Sequence, residues 1–356
     1  MSGGMSGPVL ITGGAGFIGS NIAHRLMISS VPVRIFDDLS RTGSRTNLRW
    51  LRDSHGTALQ VEIADVRDRY RLRQSLSGAR AVIHLAAQVA VTTSMLDPVC
   101  DFETNMCGTL NLLEELRSLP EPVPLLFAST NKVYGGLAGL RLIEAERRYL
   151  PQDQDTRTNG VSERTQLEFR SPYGCSKGAA DQYVLDYARC YDLPSTVFRL
   201  SCSYGQRQFG TEDQGWVAHF LTRALAGLPI TVFGNGKQVR DILYVDDLVD
   251  AVELALKHAR QLAGNAFNIG GGPDNAISLL ELIDRVADLR GELPTVRFDA
   301  WREGDQAFYV SDIRKFEAAT GWKPQVSVDD GLARLDAWLE CGPGERVRAR
   351  IDRPSA

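Results

Sequence analysis

The segment Gly13-Gly14-Ala15-Gly16-Phe17-Ile18-Gly19 constrains this chain more than any other. It follows the apolar run Val9-Leu10-Ile11-Thr12, which reads as a buried strand, and precedes residues 20–27, which have helical character. Strand, glycine-rich turn and helix in that order make the first half of a βαβ unit. The glycines are spaced G-x-x-G-x-x-G. Gly13 lets the chain turn sharply, Gly16 lets backbone approach a pyrophosphate, and Gly19 lets the helix sit close to the strand. The start of that helix, with Phe17 and Ile18, then faces the phosphates of a dinucleotide.

Further strands follow at regular intervals. Val33-Arg34-Ile35-Phe36 is the second, and Asp37 ends it. An acidic residue there accepts both ribose hydroxyls of NAD and repels a 2′-phosphate, so NAD is favoured over NADP. Arg41 and Arg45 lie nearby and weaken that preference slightly. Asp38, in the same loop as Ser40, is either an alternative ligand or the cap of the turn. Residues 59–63 form a third strand leading to Asp65-Val66; Asp65 either meets the adenine or caps the next helix. Residues 81–85 form the fourth, running into Leu85-Ala86-Ala87-Gln88, where small residues let backbone pass the cofactor. His84 reads as a packed strand residue. Residues 101–116 are helical, with Asn105 placed to hold backbone or water near the site. Residues 125–128 are the fifth strand, which delivers Ser129 and Thr130 at its carboxyl end. Residues 178–191 are helical, Ser195–Leu200 is the sixth strand and residues 266–269 resemble a seventh.

Strands that alternate with helices predict an α/β fold, a Rossmann-type doubly wound parallel sheet. The expected NAD-binding domain covers residues 8–200 with roughly 241–269. Residues 201–240 and 270–340 make a smaller, interleaved α/β substrate domain. Residues 136–170 are long, polar and poorly periodic, and read as a flap beside the substrate. Residues 346–356 read as a disordered basic tail.

A net charge of −4 leaves no global basic field to attract nucleic acid. The six cysteines form no C-x-x-C pair and the five histidines no H-x-x-x-H, so no metal is expected. Residues 1–8 lack the basic start and apolar core of a signal peptide, and no apolar run approaches a membrane span. The expectation is a soluble, cytoplasmic protein.

The chemistry centres on Ser171-Pro172-Tyr173-Gly174-Cys175-Ser176-Lys177. On a helix, Tyr173 and Lys177 share one face, one turn apart. An ammonium beside a phenol favours the phenolate, which makes Tyr173 an acid/base able to work near neutral pH. The Thr130 or Ser129 hydroxyl lies where open parallel sheets place ligands. Arg207, Arg240 and Arg302 each sit in a loop of the second unit, and converging guanidinium groups suit a diphosphate.

With these residues placed, the chain resembles the extended short-chain dehydrogenase/reductase family, the NAD-dependent sugar-nucleotide epimerases and dehydratases, from Val9 to Trp338. The resemblance implies a catalytic group of Thr130, Tyr173 and Lys177, tightly held NAD regenerated each turnover, and a nucleoside diphosphate sugar in the C-terminal part. It places Asn131, Lys132, Cys202, Gln214, Gly215 and Trp216 beside that sugar. In 4,6-dehydratases the threonine is followed by Asp-Glu; Asn131-Lys132 here argue against elimination of water. Cys202 stands where the family often has Asn. Together with Arg207-Gln208-Phe209-Gly210 and Gln214-Gly215-Trp216, these features resemble the subgroup that epimerises C2 of CDP-linked deoxyhexoses. The rival expectations are C4 epimerisation of a UDP-hexose, a net dehydrogenase, and a non-catalytic dinucleotide sensor. Family members commonly pair, so a homodimer or higher homo-oligomer is implied.

Overall fold

The structure is a computed structural model and describes residues 7–302 and 304–341. The expected tail at 346–356 lies outside the described residues. Seven strands form one parallel sheet: Val9–Thr12 (β1), Val33–Phe36 (β2), Gln60–Glu62 (β3), Ala81–His84 (β4), Leu125–Thr130 (β5), Ser195–Leu200 (β6) and Ala266–Ile269 (β7). Their order is β7-β6-β5-β4-β1-β2-β3. Thr12 lies opposite both Phe36 and His84, so the carboxyl ends of the three central strands are level. The strand order reverses between β1 and β4, which opens a crevice at that edge.

Every residue of β1 and β4 is buried, which is why these strands read as continuous apolar runs rather than alternating ones. Val9, Ile11, Ile35 and Ile83 pack on one face against Ile22 and Val249, from helices Phe17–Ile28 and Val245–Lys257. Leu10, Val82, Leu125 and Phe127 pack on the other against Leu112 and Val184, from helices Gly108–Arg117 and Ser171–Tyr191.

A separate core lies beyond the carboxyl edge. Val239–Tyr244 is central to a four-stranded sheet with Cys202–Tyr204, Ala276–Ser278 and Phe308–Tyr309, and Ile230–Phe233 pairs in parallel with Val296–Asp299. Phe220, Ile230, Ile242, Leu282 and Leu335 fill the space between these strands and helices Trp216–Leu225, Leu279–Arg290 and Val328–Glu340. Ser278 and Glu281 form a capping box that starts the second of these helices.

Two expectations need correction. The segment 136–170 is not a flap at the substrate. It forms an antiparallel pair, Leu142–Glu144 with Tyr149–Pro151, and a helix, Gln154–Asn159, capped by Asp153. It is sewn to the outside of the second core: Val161 N donates to Val310 O at 2.7 Å, and Tyr149 N donates to Lys237 O at 2.9 Å. The elements are too short to show a period, and long-range pairing supplies the order that local pattern does not. The helix expected over 101–116 is three pieces: Pro98–Phe102, a π-turn at Glu103–Cys107, and Gly108–Arg117. The wide turn carries the buried Asn105, whose amide reaches Gln88 O at 3.0 Å and the Ser176 hydroxyl at 3.0 Å.

Candidate active site

A cavity of about 390 Å³ opens at the carboxyl ends of β4, β5 and β6. One wall comes from the first unit: Phe17 and Ile18 of the glycine helix, Leu85 and Ala87 after β4, Ser129 to Lys132 at the end of β5, and Tyr173 and Lys177. The opposite wall comes from the second: Cys202, Gln214, Gly215, Trp216, Arg240 and Arg302.

The glycine turn is shaped for close approach. Gly13 has φ +69°, and a Cβ there would lie 2.7 Å from the Ala86 nitrogen. A Cβ on Gly19 would lie 2.4 Å from the Gly13 carbonyl oxygen. Gly16 caps the helix with no side-chain hydrogen bond, so no side chain competes for the first-turn N–H groups. Asp37 is buried and accepts from Ala15 N and Leu39 N, both at 2.9 Å, so its carboxylate braces the glycine turn from the end of β2. Asp38 accepts from the Ser40 amide and hydroxyl, which makes it the turn cap. Asp65 does not cap the next helix: Asp68 does, while Asp65 is held by Arg67. Val66 packs in the core against Leu72. Gln88 N donates to Asn105 Oδ1 at 2.8 Å, so Asn105 holds the backbone that leaves β4. The buried Ser129 hydroxyl has no protein partner among the described residues and lines the cavity. An uncapped helix start, a turn without side chains, an acidic strand end and an orphaned hydroxyl fit a dinucleotide.

The helix carrying Tyr173 and Lys177 starts at Ser171, with Pro172 in its first turn, where a missing N–H costs nothing. Both functional side chains are buried. Burial pushes the Tyr173 phenol up to about 12; the hydrogen bond with Thr130 opposes this, the Asp101 charge adds to it, and the Arg41 charge opposes it. Burial also brings Lys177 down to about 7, against the fields of Asp181 and Asp101. Its ammonium donates to the Ala128 carbonyl at 2.7 Å and lies 4.2 Å from the centre of the Phe127 ring. The expected lowering of Tyr173 by a neighbouring ammonium is opposed here by burial. In the protein's own field desolvation outweighs the Thr130 hydrogen bond and the Arg41 charge, and the same low-dielectric pocket penalises the charged form of Lys177.

On the wall facing the second core, Lys132 donates to Gly304 O at 3.2 Å, and Arg240 donates to Asp305 at 2.6 Å and to Gln306 O at 2.5 Å. Asp305 thus sits between two cations, and despite burial their charges hold its carboxyl below the usual range. Cys202 Sγ accepts from Trp216 Nε1 at 3.4 Å. Arg302 lies 3.7 Å over the Phe233 ring and donates to Glu212 O at 2.9 Å. Arg207 is the exception. A left-handed backbone (φ +68°) turns it away from the cavity, to stack 4.1 Å over Trp50 and bond to Asn21. The three arginines do not converge; Arg240 and Arg302 alone line the cavity.

Three residues of this site have no motif of their own. Asp305 sits in a polar loop whose only signal is the need of two buried cations for a counter-ion. Arg41 bonds to Gln214 and faces Tyr173 across the chain. His219 lines the cavity one turn after Gly215, on the face that the helical period gives it. The buried His84 bonds to Thr12 at 2.6 Å and Thr109 at 3.1 Å and is brought down to about 3 by burial, so it is a neutral packed residue, as read from the sequence.

The model of the NAD dependent epimerase/dehydratase family matches residues 9–270. The chain is 44% identical over 343 residues to CDP-paratose 2-epimerase of Salmonella typhi, covering 93% of this chain and 98% of the relative. It is 32% identical to a putative UDP-glucose 4-epimerase of Methanocaldococcus jannaschii, covering 93% and 98%. Among solved structures, the UDP-glucose 4-epimerase of Thermus thermophilus in complex with NAD is 33% identical with a TM-score of 0.77, covering 94% of this chain and 100% of that one.

Proposed function

The chain belongs to the NAD dependent epimerase/dehydratase family, and from that premise we propose that it inverts C2 of a CDP-linked deoxyhexose. The observation that carries the reading is one cavity that holds Thr130, Tyr173 and Lys177 together with Lys132 and Cys202, in a chain 44% identical to CDP-paratose 2-epimerase. The sheet and its neighbours make the protein an NAD-dependent epimerase; the sugar, the carbon and the residue roles are the proposal.

The residues that would hold NAD are the glycine turn, Asp37, the backbone after β4, Ser129 and Lys177. Bound NAD supplies a nicotinamide cation beside the phenol and the acceptor and donor through which the sugar carbinol becomes a ketone and is re-reduced on its opposite face. Tyr173 takes the hydroxyl proton and later returns it. Thr130 hydrogen-bonds the reacting oxygen. Lys132, held by Gly304 and Asp305, offers a cation where elimination of water needs a carboxyl pair. Arg240 and Arg302 grip the diphosphate. Trp216 and Cys202 close the wall against the sugar and keep water from the ketone.

Proton NMR of the purified protein with CDP-deoxyhexose and UDP-hexose sugars tests this. Inversion at C2 of the CDP sugar, with no net consumption of NAD, is expected. Inversion at C4 of a UDP-hexose instead would overturn the assignment.

Met95, Leu96, Val99 and Phe102 are exposed on adjoining helices that pack on helix Ser171–Tyr191, itself exposing Tyr183 and Tyr191. We propose that a second copy covers this face, giving a homodimer. Sedimentation at micromolar concentration checks it, with Leu96→Glu expected to yield monomer. No helix among the described residues is long and apolar enough to cross a membrane, which accords with the proposal that the protein acts in the cytoplasm.

A further inference from the structure

Asp101 is a carboxylate with no solvent exposure, one layer beneath the catalytic helix, and the chemistry above does not use it. It sits in Pro98–Phe102, immediately before the π-turn. The Ser176 hydroxyl donates to Asp101 Oδ2 at 2.5 Å and accepts from Asn105 Nδ2 at 3.0 Å. Asn105 Nδ2 also lies 3.2 Å from Asp101 Oδ1, and the same amide holds Gln88 on the cofactor side. Ser176 lies between Tyr173 and Lys177 on the helix, so a bond to its hydroxyl fixes the turn that carries both.

A buried carboxylate without a salt-bridge partner is expensive. One serine and one amide do not require a charge opposite them; a neutral asparagine satisfies the same geometry. We propose that Asp101 is a positioning residue for the epimerase reaction: it locks the Tyr173-to-Lys177 turn through Ser176 and sets a carboxyl group beneath the Lys177 amine in the cavity floor. The inference rests on the roles proposed above for Tyr173 and Lys177.

The charged and titratable groups around that turn are few. Asp181, one turn beyond Lys177, is committed to Arg199 at 2.9 and 3.0 Å. His84 faces Lys177 and is neutral, and Arg41 faces Tyr173 from the loop after β2. Asp101 is therefore the carboxylate near Lys177 that has no arginine of its own. Its field favours the protonated forms of both Lys177 and Tyr173.

The sign follows. Activity requires Tyr173 without its proton and Lys177 with its own, so the two limbs of the pH profile report this pair. Removing the Asp101 charge lowers both pKa values, so both limbs of the kcat profile move to lower pH. For Asp101→Asn, which keeps the shape, we expect both limbs to move by at least about half a pH unit and peak kcat to fall about tenfold. Ser176→Ala keeps the charge and loosens the turn, so kcat falls while the limbs stay in place. Unmoved limbs in Asp101→Asn, or equal movement in Ser176→Ala, overturn the proposal. Tyrosinate absorbance, taken as the difference between Asp101→Asn and Asp101→Asn/Tyr173→Phe against the wild-type and Tyr173→Phe pair, reads the phenol without turnover. A lower Tyr173 titration is expected, and an unchanged one overturns the proposal. Because no sugar enters that measurement, its outcome separates this inference from any error over the substrate.

Discussion

The two walls of the cavity are built on different principles. The cofactor wall uses backbone. Phe17 and Ile18 at the uncapped helix start and Leu85 and Ala87 after β4 line it, beside a glycine turn whose close packing leaves no room for a Cβ. The sugar wall uses side chains. Cys202, Trp216, Arg240, Arg302 and Asp305 come from separate segments and meet only because the second sheet and its helices bring them together. Recognition by backbone is encoded in a few adjacent residues; recognition by side chains depends on how distant segments pack. The first wall therefore tolerates little change at its glycines, and the second can change partner by changing loops.

The largest expected effect falls where the walls meet. Tyr173→Phe should lower kcat about 1,000-fold, roughly 4 kcal/mol of barrier, while the protein keeps its NAD. Steady-state rates and the cofactor content of the purified variant check this; full activity would remove Tyr173 from the role.

Asp305→Asn tests the sugar wall. It leaves Lys132 and Arg240 with one charge fewer between them. The destabilisation should be about 2 kcal/mol, below that of a fully buried pair because Asp305 keeps 28% of its side-chain exposure. KM for the sugar should rise about tenfold with NAD retention unchanged. Chemical denaturation and KM together separate the fold from the site.

Gly19→Ala does the reverse. Its methyl would lie 2.4 Å from the Gly13 carbonyl oxygen and 2.6 Å from the Gly14 Cα, where only backbone can give way. About 1–2 kcal/mol of stability and most of the NAD retention should be lost, as read by denaturation and by the cofactor absorbance of the purified protein. Unaltered NAD content would break the contrast between the two walls.

Arg207→Gln is the smallest. Its guanidinium stacks on Trp50 rather than facing the cavity, so stability should fall by about 1 kcal/mol and KM for the sugar by less than about twofold in either direction. A tenfold change in KM would return Arg207 to the sugar wall.

The cofactor half was legible because its signals are local. Val9–Thr12, the three glycines and Asp37 span fewer than thirty residues, and strands buried on both faces announce themselves as apolar runs. Tyr173 and Lys177 were legible for the same reason, since one helical turn fixes their separation. Arg207 was misread because nothing in Arg207-Gln208-Phe209-Gly210 reveals the left-handed backbone that turns it back to Trp50. The segment 136–170 was misread because its order comes from pairing with Val310 and Lys237, far away in the chain.

The Tyr-x-x-x-Lys stretch marks the limit. Its spacing, with the glycine turn, the acidic strand end and Thr130 in order, identified a dinucleotide-dependent enzyme and the pair proposed as its acid/base. The sequence could not determine the ionisation of that pair. Tertiary burial decided it, raising the phenol and lowering the amine together, because desolvation depends on everything packed around a group and not on its neighbours in the chain.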